Sequence, residues 1–167
     1  MSSFSNILVI SSDCPISPQV NFYENSDFKP VKELKWGISW YDPEQNTATL
    51  LKDNYVENVE VVRNVFENNP KFVSDMFIGH IYSHSKYSNS RLNVQPFVRP
   101  YAGKDWSMVH SGSLNHGYQD LLPLTNIDFE PVGNTDSEYM LCWFLSQLFI
   151  NNIRETSISN RSATDLI

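Results

Sequence analysis

Trp-Ser-Met-Val-His-Ser-Gly at positions 106–112 and Pro-Val-Gly-Asn-Thr-Asp-Ser-Glu-Tyr-Met-Leu-Cys-Trp at 131–143 decide how this chain reads. The first stretch predicts a buried strand running out to His110 and turning at Gly112. The second predicts a glycine turn that feeds a helix. Thr135 and Asp136 offer acceptors to its orphan N–H groups, and Asp136 and Glu138 place negative charge at the positive end of its dipole. Two such turns, meeting at the edge of a core, can aim backbone N–H groups and a carboxylate into one pocket.

Outward from the second stretch, apolar residues fall nearly all round Ser137 to Arg154, which predicts a helix buried between layers. Upstream, Ile7 to Ile10 is a short aliphatic run suited to a strand buried on both faces, and Ser11 to Pro18 reads as a turn holding Cys14. Residues 19–34 have no clean period. Lys35 to Tyr41 and Thr47 to Leu51 flank the turn Asp42 to Asn46 and predict a hairpin. Gly37 inside a strand marks a close backbone approach or bulge. Val59, Val62, Val65 and Phe66 recur at helical spacing over Glu57 to Asn68, an amphipathic helix stopped by Pro70. Met76 to Tyr82 is a further strand leading into the polar loop Ser83 to Ser90. Residues 95–97 and 99–101 are extended, and Asn115 to Asp128 reads as turns with a short helical piece.

Composition narrows the function. The 167 residues suffice for one domain with a real core, and ten Phe, eight Tyr and four Trp supply its bulk. The formal net charge is −7 with no cluster of Lys and Arg, so neither nucleic acid nor an anionic membrane is an expected partner. Two cysteines, Cys14 and Cys142, suggest no disulfide framework and no zinc site. The sequence has no signal-peptide pattern and no membrane-spanning run, which predicts a soluble, cytoplasmic protein that needs no cofactor. The domain is expected over residues 1–154, with 155–167 a polar tail.

Three signals bear on chemistry. His110, Ser111 and Gly112 with Asp136 form a turn that could bind a developing oxyanion and hold an ammonium, or serve only as a strand-end turn and helix cap. His80 and His84 stand four apart, but on a strand and loop without a third ligand that spacing makes a packed strand histidine, not a metal site. No Gly-x-Ser-x-Gly turn supports a hydrolase elbow, and Cys14 has no evident base. Ser2 would lead the chain after Met1 removal, and an N-terminal serine can act as nucleophile with its own amine as base.

The segment Pro131 to Glu138 with Cys142-Trp143 resembles the class II glutamine amidotransferases, the glutaminase domains of the N-terminal-nucleophile hydrolases, in their stand-alone YafJ-like subgroup. Trp36-Gly37-Ile38 with Tyr41, Gly79-His80-Ile81, Pro96-Phe97 and Trp106 through Gly112 share that resemblance, which runs from about Phe4 to Ile153. It implies an α+β fold, a four-layer αββα sandwich, here trimmed at the C-terminal side. By the same resemblance Asp136 holds the α-amine of glutamine, Gly112 lies beside the oxyanion hole, and His80 opens a His-x-Arg segment.

Departures from the family concentrate in the site. Ser5 stands where a cysteine attacks the amide, and four residues precede it. Ser111 replaces the oxyanion asparagine, Tyr82 the arginine that binds the glutamine carboxylate, and Gln95 a histidine next to Pro96-Phe97. An oxyanion donor lost elsewhere costs about 3 kcal/mol of transition-state stabilisation. The resemblance therefore implies a degenerate glutaminase-like domain that binds glutamine or a γ-glutamyl compound through Asp136, with Tyr82, His80 and His110 nearby. The alternative is an active amidohydrolase whose N-terminal serine is exposed by processing. A bare sheet edge in a trimmed sandwich would be filled by a second copy or another polypeptide.

Overall fold

The structure, a computed structural model, describes residues 5–18, 34–42, 44–56, 64, 72–83, 90–124 and 128–151. Four antiparallel strands make the main sheet: β1 (Ser5–Ile16), β2 (Leu34–Asp42), β3 (Thr47–Val56) and β4 (Ser74–Ser83), in the order β1-β4-β2-β3. The expected hairpin is β2–β3. Its turn is tied by the Asp42 carboxylate, which accepts from Glu44 N at 2.9 Å, and by Asn46 at φ 54°, a left-handed conformation that Asn tolerates. On one face of the sheet Trp36, Ile38, Trp40, Phe77 and Ile81 pack with Leu34 and Phe72 into a core. The other face carries Gly37 opposite His80, and Lys35 opposite Tyr82.

The first strand differs from its expectation in two ways. It continues through Cys14 and Pro15 to Ile16, where a turn was expected, with an irregularity between Ser11 and Ile16. Proline is admissible there because β1 is an edge strand, hydrogen-bonded on one side only among the described residues. Nor is it buried on both faces: Ile7 and Val9, on the face of the sheet that carries His80, are 44% and 64% exposed. The expected helix over 57–68 and the loop over 84–89 lie outside the described residues, apart from Asn64, which is helical.

A second hairpin, β5 (Phe97–Tyr101) and β6 (Lys104–Met108), lies over the Gly37 face. Its two-residue turn places Ala102 and Gly103 at φ 53° and 80°, the primed geometry that matches strand twist and favours glycine. Polar contacts fasten it to the first sheet. Ser107 Oγ is 2.9 Å from Ser39 Oγ, Ser107 N donates to Tyr41 OH at 3.1 Å, and Ala48 N donates to the Asp105 carboxylate at 2.8 Å. Lys52 Nζ donates to Val94 O at 2.8 Å and sits 5.5 Å from the centre of the Phe97 ring. Burial pushes the Lys52 ammonium below its ordinary range, and Glu138 partly offsets this.

Gly37 is the point of closest approach. A Cβ there would lie 2.2 Å from the Gln95 carbonyl oxygen and 2.9 Å from Pro96 Cδ. The close approach expected from sequence is therefore real, and it presses the main sheet against the segment that leads into β5. Gly37→Ala is expected to lose about 1–3 kcal/mol by overpacking, read as a lower urea midpoint. A midpoint equal to wild type would show that the segment yields freely.

The chain ends its described part in helix α2 (Asp136–Ile150), preceded by the short α1 (Tyr118–Leu121). Thr135 is the N-cap, its Oγ1 accepting from Glu138 N at 3.1 Å, which fulfils the expected start. Leu141, Cys142, Leu145 and Leu148 pack with Phe97 and Phe129 into a second core, with Tyr101, Trp106, Met108 and Leu124 around it. The all-round burial expected of this helix is not observed. Phe144, Phe149 and Ile150 are exposed, because the hairpin covers one side of the helix and no described element covers the opposite one.

Candidate functional site

The start of β1 and the exit of β6 meet. Ser5 pairs with Tyr82 in the sheet, and its Oγ lies 2.7 Å from His80 Nε2. Ser111 Oγ donates to Ser5 Oγ, also at 2.7 Å. Ser5 Oγ thus accepts from Ser111, and the direction of its bond with His80 Nε2 is set by the tautomer of the ring. Ser5 is exposed while His80 is only 5% exposed, so a buried base stands beneath an accessible hydroxyl. Burial lowers the His80 pKa to about 4; the Gln95 side chain opposes the shift and His110 adds to it. The imidazole is therefore neutral at pH 7.

Tyr82 flanks this pair. Its ring stacks on His80 with centroids 4.4 Å apart, and its hydroxyl donates to Asn93 O at 3.3 Å. Burial raises the phenol to about 12, so it stays protonated and supplies no charge, positive or negative. An arginine at this point would offer a carboxylate two N–H groups; Tyr82 offers one hydroxyl already engaged.

Gln95 holds the β6 exit. Its Oε1 accepts from His110 N at 2.6 Å, and its Nε2 donates to His110 O at 3.0 Å and to Ser137 Oγ at 3.4 Å. Ser137 Oγ lies 3.0 Å from His110 Nδ1 and donates to Asp136 Oδ1 at 3.4 Å. Asp136 is buried at the helix start, and its Oδ2 accepts from Leu114 N at 2.8 Å. A Cβ on Gly112 would stand 2.9 Å from His110 Nε2, so this glycine leaves room for the ring.

The residues singled out in the sequence thus fall into two linked groups. Ser5, His80 and Ser111 are in direct contact, with Tyr82 stacked alongside. His110 and Asp136 are joined through Ser137, and Gly112 adjoins them. His84 lies outside the described residues, and Cys14 is an exposed thiol on the edge strand. Among the described residues no group of three His, Cys, Asp or Glu is placed to hold a metal ion.

Sequence reading missed two supports. Gln95 appeared only as a departure from a family pattern, yet it makes three hydrogen bonds within the site. Glu138 read as a helix-start charge, whereas its carboxylate accepts from Val132 N at 3.1 Å and Gly133 N at 2.7 Å and pairs with Arg99. The turn it holds is further tied by Asn93, which exchanges hydrogen bonds with Asn134 at 2.8 and 3.0 Å. The signal available for Glu138 was its position five residues after Gly133, just beyond the uncharged turn Pro131 to Thr135.

Comparison with known proteins places this arrangement in context. The family model described as glutamine amidotransferases class-II matches residues 4–166. An uncharacterized protein of Methanocaldococcus jannaschii is 38% identical over 117 residues, which cover 68% of this chain and 30% of that protein. The Escherichia coli protein YafJ, named among the glutamine amidotransferases, is 31% identical over 113 residues, covering 68% of this chain and 42% of its own. The crystal structure of a predicted glutamine amidotransferase from Pseudomonas aeruginosa superposes with a TM-score of 0.55 at 22% identity, covering 87% of this chain and 55% of that one. The chain accordingly spans less than half the length of either curated relative. No helix among the described residues is long and apolar enough to cross a membrane.

Proposed function

The chain belongs to the class II glutamine amidotransferases, in their YafJ-like subgroup, and from that premise we propose that its pocket binds a glutamine-like amino acid without hydrolysing the amide. One observation carries the reading: the Ser5 hydroxyl is held between His80 and Ser111, and four residues precede it in the chain. Neither a thiol nor a free α-amine stands at the attacking position. The Ser111 proton is directed at Ser5, so it is not offered to an oxyanion. Loss of one oxyanion donor costs about a hundred- to a thousandfold, and the missing thiol and free amine beside it lower the amide reaction further, their effects not simply adding. We assign the scaffold to the αββα sandwich, supported by the hairpin stacked between the main sheet and α2.

On this reading Asp136 takes the ligand ammonium at the start of α2, with Leu114 N moving off its Oδ2. Calorimetric titration with glutamine and γ-glutamyl compounds is expected to give heat with wild type and none with Asp136→Asn, while no ammonia is released. Silence with both proteins removes the ligand. Ammonia release that Ser5→Ala abolishes overturns the non-hydrolytic reading.

One observation favours a second reading. Cleavage between Phe4 and Ser5 would free an amine on a serine that already touches His80. Intact mass of the protein from its own cells decides this, since a chain beginning at Ser5 restores the N-terminal nucleophile.

A further inference from the structure

We propose that the chain associates with a second copy of itself through the free edge of β1, the two first strands pairing antiparallel about a two-fold axis at Leu8. β1 ends the main sheet, with β4 as its one neighbour among the described residues. An edge strand presents a row of unpaired N–H and C=O groups, and native proteins blunt such edges with lysine, proline, a bulge or an inward-pointing charge. None of these devices stands between Ser5 and Ser11, a stretch without charge that runs in regular register with β4. Asp13 and Pro15 fall within the irregular part that follows, between Ser11 and Ile16.

The occupant is a second copy because the strand matches itself. Antiparallel pairing centred on Leu8, the midpoint of the regular stretch, sets Leu8 opposite its counterpart and Ile7 opposite Val9 twice over. Residues directly opposite one another share a face of the sheet. Ile7 lies opposite His80, so Ile7 and Val9 of both strands gather on the face that carries His80. In the single chain they are exposed, as is Met76 opposite Ser11 on the same face. Cross-strand pairs of β-branched side chains stabilise a sheet, and this register makes two of them from residues that otherwise meet water. Charge points the same way. A chain of net charge −7 repels its own copy, and Ser5 to Ser11 offers a contact with no like charges to bring together. The sheet then continues through the axis from one copy into the other, a closed isologous contact. Ser11 of the second copy comes opposite Ser5, so each copy adds a residue at the edge of the other's candidate site. A single strand pair buries less than the roughly 1,200 Å² of a stable interface, which makes the association reversible and concentration-dependent.

Sedimentation velocity of the full chain, from micromolar to near-millimolar concentration, is expected to pass from monomer to dimer with no larger species. Val9→Lys and Ile7→Glu should each weaken dimerisation about tenfold or more, since a charge on an edge strand opposes pairing. Both variants should melt as the wild-type monomer does, because both side chains are exposed there. Mixing the two variants should restore the dimer, the introduced lysine then facing the introduced glutamate while Ile7 of one chain keeps Val9 of the other. A wild-type chain that stays monomeric throughout overturns the proposal. So does a dimer that both variants leave intact, or a mixture that associates no better than either variant alone. If a variant fails to fold, hydrogen exchange of the wild type decides: slower exchange within Ser5 to Ser11 at high concentration supports the contact, and equal exchange at low and high concentration overturns it.

Discussion

Glu138→Ala is expected to lower the unfolding free energy by about 3–5 kcal/mol, the cost of breaking a buried ion pair from one side. The carboxylate is 2% exposed, and its partner Arg99 is 21% exposed. Removing it leaves the guanidinium with the neighbouring Val98 carbonyl, bonded to its Nη1 at 2.9 Å, and with the Cys142 side chain. Two backbone N–H groups, of Val132 and Gly133, lose their acceptor at the same time. Three segments are affected together, since the turn, β5 and α2 all meet at this carboxylate. Replacing both partners by apolar groups, as in Arg99→Met with Glu138→Leu, should recover part of the loss, because the desolvation cost of both charges disappears. Urea unfolding of the two single variants and the double variant measures each term. A Glu138→Ala midpoint within error of wild type would mean that the pair contributes nothing net.

What the sequence disclosed follows from where its signals are local. The β2–β3 hairpin is written in alternation and in Asp42 and Asn46, both of which act within the turn itself. The cap of α2 is likewise local, Thr135 reaching Glu138 three residues on. Gly37 was legible because a glycine within a strand lacks a local reason to be there, and the reason proved to be Gln95 overhead. Burial was less legible. An aliphatic run such as Ile7 to Ile10 looks alike in a central and an edge strand, since hydrophobicity records what a strand prefers and not what neighbours it has. The same limit applies to α2, whose apolar circumference did not reveal that Phe144 and Ile150 would be left uncovered.

The candidate residues were legible one by one, and their contacts were not. Ser5, Ser111 and Tyr82 were singled out by resemblance, and the fold brings them near one another. That Ser5 bonds to Ser111 could not be read, because they are 106 residues apart and their contact depends on two strand ends converging. Gln95 shows the same effect. A buried amide has four hydrogen-bonding positions, and only the fold shows that His110 and Ser137 occupy three of them.

The acid sensitivity of the fold is expected to centre on His80. Burial depresses its pKa from 6.5 to about 4, with Gln95 opposing and His110 reinforcing the shift. Below pH 6.5 the unfolded chain takes up a proton at this residue that the folded chain refuses until about pH 4. The unfolded state then binds more protons, so stability falls as the pH drops through that window and is unaffected by this group above it. The full loss is roughly 3 kcal/mol, from 1.36 kcal/mol per pH unit. His80→Gln removes the titration, so wild type should lose about that much more than the variant between pH 7 and pH 4. Other carboxylates titrate in both proteins and cancel in the difference. A histidine ring resonance assigned to His80 should stay unchanged down to pH 5. Were it to titrate near 6.5 instead, the ring would be solvated, the difference between the two proteins would vanish, and Nε2 would donate to Ser5 throughout mildly acidic solution.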